Sequence, residues 1–338
     1  MVSGFTILAN DHSDFSYKLD ELLYSSEFNP IYSNRFLDYY ASISKRVNVD
    51  CSHLVTRDGE PVAAFLMTTS EDEGRKKFDY FGNPAAIFTN SKLSPSEIFE
   101  VLVVLYDFLS SQNFFFAIKS LHLGTFVMKT NSQLVIGSKL FEEFLKKSER
   151  VEVGFVRKIN LGQSEKSIME GFSKSVKSAM RHRELQSMEV EIIDKDDSYD
   201  KIENAMNYLQ SLHFDSARRK TRPDESWSIQ KNQIVKGDAF ITQLQKNNDI
   251  ISSCYFMKTP FDSYYGVSAS KRLDSKVSLS HLCVSEAILY AKRIGLHHLI
   301  LGDQYSHLSQ PVNEKQLNIE KFKSFFGGNL TAEVICFL

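Results

Sequence analysis

The chain reads as an α/β protein built in two halves of like layout, and three observations carry that reading. A hairpin, a third β-rich run, a helical stretch and a buried-strand run follow one another from 52 to 120, and the same order returns from 238 to 301. Asp58-Gly59 lies between the first two runs, a strong hairpin signal. Helix punctuation marks both long helical stretches, Ser94-Pro95-Ser96-Glu97 at the start of the first and Gly295 at the end of the second. With 338 residues the chain is long enough for one large domain or for two domains of about 150 residues each. No repeat of short period occurs; only the order of elements recurs.

In the first half, 52–56 and 61–68 read as strands around Arg57-Asp58-Gly59-Glu60. A third run, 78–88, contains Gly82 and Pro84, which mark a bulge or a strand end. Ser94 as N-cap, Pro95 at the first helical position and Glu97 make a capping box, predicting a helix to about Ser111. A buried strand follows at 113–120. Between the halves come helices at 167–185, 202–214 and 223–235. The second half gives strands at 238–245 and 250–258 around the turn 246–249, then a third strand at 263–268. A helix at 278–294 ends at Gly295, the usual place of a left-handed glycine. A strand at 298–301, a short helix at 319–326 stopped by Gly327-Gly328, and a last strand at 330–338 complete the chain.

Composition excludes several classes. With 42% hydrophobic and 24% charged residues the chain can bury a core and is not disordered. Lys plus Arg number 40 against 42 Asp plus Glu, so a broadly basic nucleic-acid binder is disfavoured, while a local basic groove stays open. Cys51, Cys254, Cys283 and Cys336 are widely spaced, with no C-x-x-C, so neither a disulfide framework nor a cysteine zinc site is expected. Residues 1–11 lack a basic start and hold a short apolar stretch at 5–9, so no signal peptide is expected there. The stretch 101–109 contains Asp107 and is too short to span a bilayer. A soluble, cytoplasmic protein is the expectation.

Three stretches carry a family likeness. The first is Phe172-Ser173-Lys174-Ser175-Val176-Lys177-Ser178-Ala179-Met180-Arg181-His182-Arg183, followed by Met188-Glu189-Val190-Glu191-Ile192. The second is 278–295 leading into Leu301-Gly302-Asp303, and the third is Ile319-Glu320-Lys321-Phe322-Lys323-Ser324-Phe325-Phe326-Gly327. They resemble the acyltransferases of the GNAT superfamily and, more narrowly, the Fem-type peptidyl and aminoacyl transferases: a basic helix and strand, a helix, glycine and strand ending in a polar loop, and a terminal "FK..FG" element. The likeness covers about 160–338; the first half matches in layout. It implies two GNAT-like domains, 1–163 and 164–338, each a central mixed sheet flanked by helices, with a cleft between or beside them. It also implies direct attack of an amine on an activated acyl carbonyl, with an amino sugar, nucleotide-linked sugar or peptide precursor as acceptor, in surface-glycan or cell-wall synthesis.

One departure bears on the donor. Many GNAT enzymes hold the coenzyme A pyrophosphate on backbone N–H groups of a glycine-rich loop. Here the equivalent stretch, 268–277, has no glycine. Either the donor is an aminoacyl-tRNA, or it is an acyl-CoA held by side chains such as Lys271 and Arg272.

Several residues could serve such chemistry. The resemblance places Phe322 and Lys323 against the donor, with Lys323 stabilising the oxyanion; by periodicity alone Lys323 borders a core stripe of Ile319, Phe322 and Phe326 and could simply snorkel. Arg183 falls in line with Val176 and Phe172, where a buried charge needs a phosphate, a ligand carboxylate or an internal partner, unless the helix has already ended. Lys174, Lys177 and Arg181 share the opposite face, as a solvated stripe or a polyanion track. Arg218, Arg219, Lys220 and Arg222 form the densest basic run, an exposed loop or a seat for a phosphate-bearing substrate; a tRNA bound there would give steep salt dependence. Tyr264 and Tyr265 point to opposite faces of a strand, so one should reach the cleft as acid or carbonyl-orienting group. Ser278, Ser280 and His281 open a helix whose free N–H groups favour a carbonyl or an anion, and His281 is a general base by residue type or else a structural histidine. Asp303 follows a strand end, where it binds the acceptor amine or serves the turn. No G-x-S-x-G or Cys-His arrangement supports covalent hydrolysis, and with no H-x-x-x-H no metal is expected. The rival reading is a non-catalytic binding protein that keeps the fold.

Overall fold

The computed structural model describes residues 4–26, 28–44, 48–72, 75–112, 127–131, 142, 146, 148, 150–185, 187–271, 279–304 and 313–337. The chain forms two compact units, one of Met1–Phe155 with Ser306–Gln310 and Ala332–Leu338, the other of Val156–Tyr305 with Pro311–Thr331.

The first unit contains β1 (Phe5–Ala9), α1 (Phe15–Ser25), α2 (Leu37–Ser44), β2 (Asn48–Asp50), β3 (His53–Arg57), β4 (Glu60–Leu66), β5 (Thr68–Asp72), β6 (Arg75–Asp79), β7 (Ala85–Thr89), α3 (Pro95–Ser111), β8 (Val127–Asn131) and the start of β9 (Arg150–Asn160). Strands β1, β3, β4 and β7 pair antiparallel in that order, and β7 then pairs parallel with β8. The C-terminal strand pairs antiparallel with β8, so the sheet is mixed, as the resemblance implies. A smaller sheet has the order β2-β5-β6.

The β3–β4 hairpin closes through Asp58 and Gly59, both at positive φ, as a tight two-residue turn requires. The capping box of α3 forms as read, Ser94 accepting from the Glu97 N–H while the Glu97 carboxylate takes the Ser94 N–H. Those bonds, with the Arg57 guanidinium at 2.6 Å, hold the Glu97 carboxyl at about 2. The helix buries Ile98, Val101, Leu102 and Leu105 against Val55, Ala63, Phe65 and Ile87. The run 78–88 is two strands rather than one: Phe81 and Gly82 turn at positive φ between Tyr80 and Asn83, which bridge each other. The strand expected at 113–120 lies outside the described residues.

The second unit contains the end of β9, α4 (Glu165–Gly171), α5 (Lys174–Leu185), β10 (Met188–Ile193), α6 (Tyr199–Ala217), α7 (Asp224–Lys236), β11 (Ala239–Lys246), β12 (Asp249–Lys258), β13 (Asp262–Ser270), α8 (Leu279–Arg293), β14 (His298–Gln304), α9 (Glu314–Ser324) and the start of β15 (Asn329–Phe337). Strands β10 to β13 pair antiparallel in sequence order, and β13 pairs parallel with β14, the plan of the first unit again. The single helix expected over 167–185 is two. Phe172 leaves the helical region (φ −67°, ψ 144°), and Ser173 restarts the chain by accepting the Val176 N–H at 3.3 Å. The freed Phe172 ring packs edge-on against Phe326 at 6.1 Å. Gly327 closes this junction: a Cβ there would sit 2.8 Å from the Gly171 carbonyl oxygen. The terminal helix begins at Glu314 rather than 319, behind an Asn313–Gln316 capping box. Among the described residues no helix is long and apolar enough to cross a membrane.

Candidate functional site

The second unit offers a place where its sheet opens. β13 and β14 pair only through Asp262, Ser263 and Tyr264 with His298, Leu299 and Ile300, yet β13 continues to Ser270 and β14 to Gln304. A bulge at Gly266 shifts the register of β13 against β12 just beyond that point. Glycine fits there because a Cβ would lie 3.1 Å from the Tyr255 ring.

Helix α9 touches both parted strands. Phe322 packs its ring 6.2 Å from Tyr265 of β13, while Lys323 donates from Nζ to the Asp303 carbonyl oxygen of β14 at 2.7 Å. Gly302 stands at φ +85°, and a Cβ on it would meet the Tyr264 hydroxyl at 2.7 Å and Lys323 Nζ at 3.3 Å. A phenol and an ammonium therefore converge over one glycine. The neighbouring residues Tyr265 and Phe322 line a cleft of about 830 Å³ with Gly266, Ser268, Ser280 and Ile319, and with His213, Glu314, Lys315 and Asn318; Tyr264, Gly302 and Lys323 are not among its lining residues. Tyr265 donates its hydroxyl proton to Ser268 Oγ, and burial raises its pKa. Ser280 shares a hydrogen bond with Ser270 (2.8 Å), which shares another with Ser252 (2.7 Å).

His281 does not line the cleft. It is 5% exposed behind Phe322, whose ring stacks on it at 5.3 Å and 19°, with Phe325 and Phe326 edge-on. Burial lowers its imidazole to about 4, so it is neutral over the ordinary pH range. It forms part of an aromatic wall that backs Phe322. Asp303 is an exposed residue, and its carbonyl is the group that meets Lys323.

The basic residues are dispersed. Lys271 is bound by both oxygens of Asp249, at 2.6 and 2.7 Å. Arg181 is exposed, its Nε donating to the Lys177 carbonyl at 3.4 Å. Arg218 caps α6 in the left-handed region at φ 54°. Arg219 lines a second cavity of about 410 Å³ with Lys220, Thr221, Arg222 and Trp227, where the Arg222 guanidinium lies 3.3 Å over the indole. Arg272, Ser278 and the Arg183 side chain lie outside the described residues.

Two residues of this region carried no sequence signal. Arg157 of β9 donates to Gln304 Oε1 at 3.3 Å and to the Gly327 carbonyl at 2.9 Å, tying the end of β14 to the glycines after α9. His213, a single histidine on an amphipathic helix, borders both cavities. Its presence near a cleft depends on where α6 packs, which no local pattern states.

No protein-family model matches the chain, and no curated protein does. Solved structures do. The chain shares its fold with FemX, one of the Fem proteins that the terminal motifs resemble. FemX matches with a TM-score of 0.66 at 12% identity, over 98% of this chain and 97% of that one. L-PGS from Bacillus licheniformis matches with a TM-score of 0.55 at 10% identity, over 97% of this chain and 92% of that one. The C-terminal domain of a putative lysylphosphatidylglycerol synthetase from Agrobacterium fabrum gives 0.51 at 9% identity, over 89% and 91%. At these identities the likeness is one of fold.

Proposed function

We propose that the protein is an N-acyltransferase. It moves an acyl or aminoacyl group from an activated donor to the amine of an amino sugar, a nucleotide-linked sugar or a peptide precursor, and acts in the cytoplasm in surface-glycan or cell-wall synthesis. The observation that carries this reading is the meeting of Lys323 Nζ and the Tyr264 hydroxyl over Gly302, where helix α9 crosses two parting strands. Attack of a neutral amine on the donor carbonyl forms the C–N bond and drives negative charge onto the carbonyl oxygen. A preorganised ammonium and phenol are the groups that stabilise such an oxygen. Collapse restores the C=O bond and breaks the bond to the sulfur or oxygen leaving group, so no protein nucleophile is needed.

The donor is a thioester of coenzyme A or an aminoacyl ester of tRNA. The absence of glycine from 268–277, and the pairing of Lys271 with Asp249, favour a donor that is not anchored by a pyrophosphate there. The run from Arg218 to Arg222 supplies the positive field that draws a phosphate-bearing substrate. Asp303, exposed at the end of β14, fits an acceptor ammonium. The shared fold with FemX supports this reading at the level of fold. The test is incubation of the full chain with acetyl-CoA, alanyl-tRNA and lysyl-tRNA, each against UDP-linked amino sugars and a lysine-containing peptide, read by mass spectrometry. The expected result is a mass gain of one acyl unit on an acceptor. Thermal stabilisation by these compounds without any transfer would instead mark a binding protein.

A further inference from the structure

Transfer to an amine leaves a proton to be removed, and the histidine, the tyrosine and the lysine that the sequence singled out are not placed to take it. His281 is walled off behind Phe322, Tyr265 keeps its own proton on Ser268, and Lys323 is spoken for as the cation. Among the described residues, the one common to the linings of the cleft and of the basic cavity is His213, in the last turns of α6. We infer that His213 is the proton acceptor of the transfer, standing between the cleft lined by Tyr265 and Phe322 and the cavity that receives the phosphate-bearing end of a substrate. This assignment rests on the acyl-transfer reading above.

The surroundings fix the imidazole and keep it available. Its ring packs edge-on against Trp227 at 5.4 Å and 69°, and Trp227 is itself covered by the Arg222 guanidinium. The charged groups around it are Arg219, Lys220, Arg222 and Asp224 from the cavity, and Glu314 and Lys315 from the cleft. Lys220 and Asp224 neutralise each other at 2.7 Å. Burial first, and the charge of Arg222 second, lower the pKa of His213, so the ring is neutral and ready to accept at neutral pH. After the amine nitrogen bonds to the carbonyl carbon it carries a positive charge and an extra proton. That proton passes to the imidazole. As the tetrahedral carbon collapses, the C–S or C–O bond of the donor breaks, and the leaving sulfur or oxygen takes the proton back from the imidazolium. Amide and free thiol or alcohol result, and His213 returns neutral.

The experiment measures kcat and KM for the full-length wild type, His213→Gln and His213→Ala from mildly acidic to alkaline pH, with acetyl-CoA and alanyl-tRNA as donors and the acceptors named above. Folding is checked by circular dichroism. Removing a general base should cost ~10²–10⁴-fold in kcat with KM little changed, and added imidazole should restore part of the His213→Ala rate. The wild-type kcat should fall on the acid side with an apparent pKa below that of a free histidine, a readout that stands even if both variants misfold. A wild type that turns over while the variants keep its kcat, or lose only KM, or a wild-type profile without that acid limb, overturns the assignment of His213. A wild type that transfers from neither donor overturns the acyl-transfer reading, and this assignment with it.

Discussion

A methyl group at position 302 would land on the Tyr264 hydroxyl and crowd Lys323 Nζ, and Gly302 already stands in the left-handed region. Gly302→Ala is therefore expected to lose ~1–3 kcal/mol of stability and to cut turnover, measured by urea unfolding and by kcat. At the same scale, His281 links stability to pH. Its folded pKa, about 4, lies below the ordinary 6.5, so the unfolded chain binds the extra proton first. Stability from this residue is complete above about 6.5 and declines as pH falls towards 4, by on the order of 3 kcal/mol. His281→Phe should flatten that part of the stability–pH curve, read by denaturant midpoints at a series of pH values. These residues were visible in the sequence as types: Lys323 beside Phe322, paired tyrosines, a glycine before an aspartate. Their convergence was not, because Tyr264, Gly302 and Lys323 meet only through the register of β13 on β14 and the lie of α9.

At the scale of elements, local chemistry was legible where it is strong. The Asp58-Gly59 hairpin and the Ser94–Glu97 box stand where they were read. The break at Phe172 escaped because Phe172 and Val176 keep helical spacing across it; only the serine cap and the packing of Phe172 on Phe326 decide it. The start of α9 escaped for a related reason, since Glu314-Lys315-Gln316-Leu317-Asn318 has no apolar period and the Asn313–Gln316 box alone announces it. Asn313→Ala removes the side-chain acceptor for the Gln316 N–H at 3.0 Å. A stability loss of ~0.5–2 kcal/mol is expected, with a fall in turnover because the same helix carries Phe322 and Lys323; thermal unfolding and kcat check both.

Across the whole molecule the layout was legible as a recurrence of order, and each unit repeats it as antiparallel strands followed by one parallel step across a helix. The destination of the C-terminal strand was not, because strand pairing between distant segments leaves no mark in either segment. Residues 333–337 pair with β8, so β15 ends in the first unit although it begins in the second. Deleting 332–338 should strip amide protection from β7 and β8 while β11 to β13 keep theirs, seen by hydrogen exchange with mass spectrometry. The most direct test of the account concerns the cation over Gly302. The single-turnover transfer rate of Lys323→Met, measured beside its melting temperature, should fall ~10²–10³-fold while the melting temperature holds. A variant that transfers at the wild-type rate, or whose loss of transfer follows its loss of folding, would contradict it.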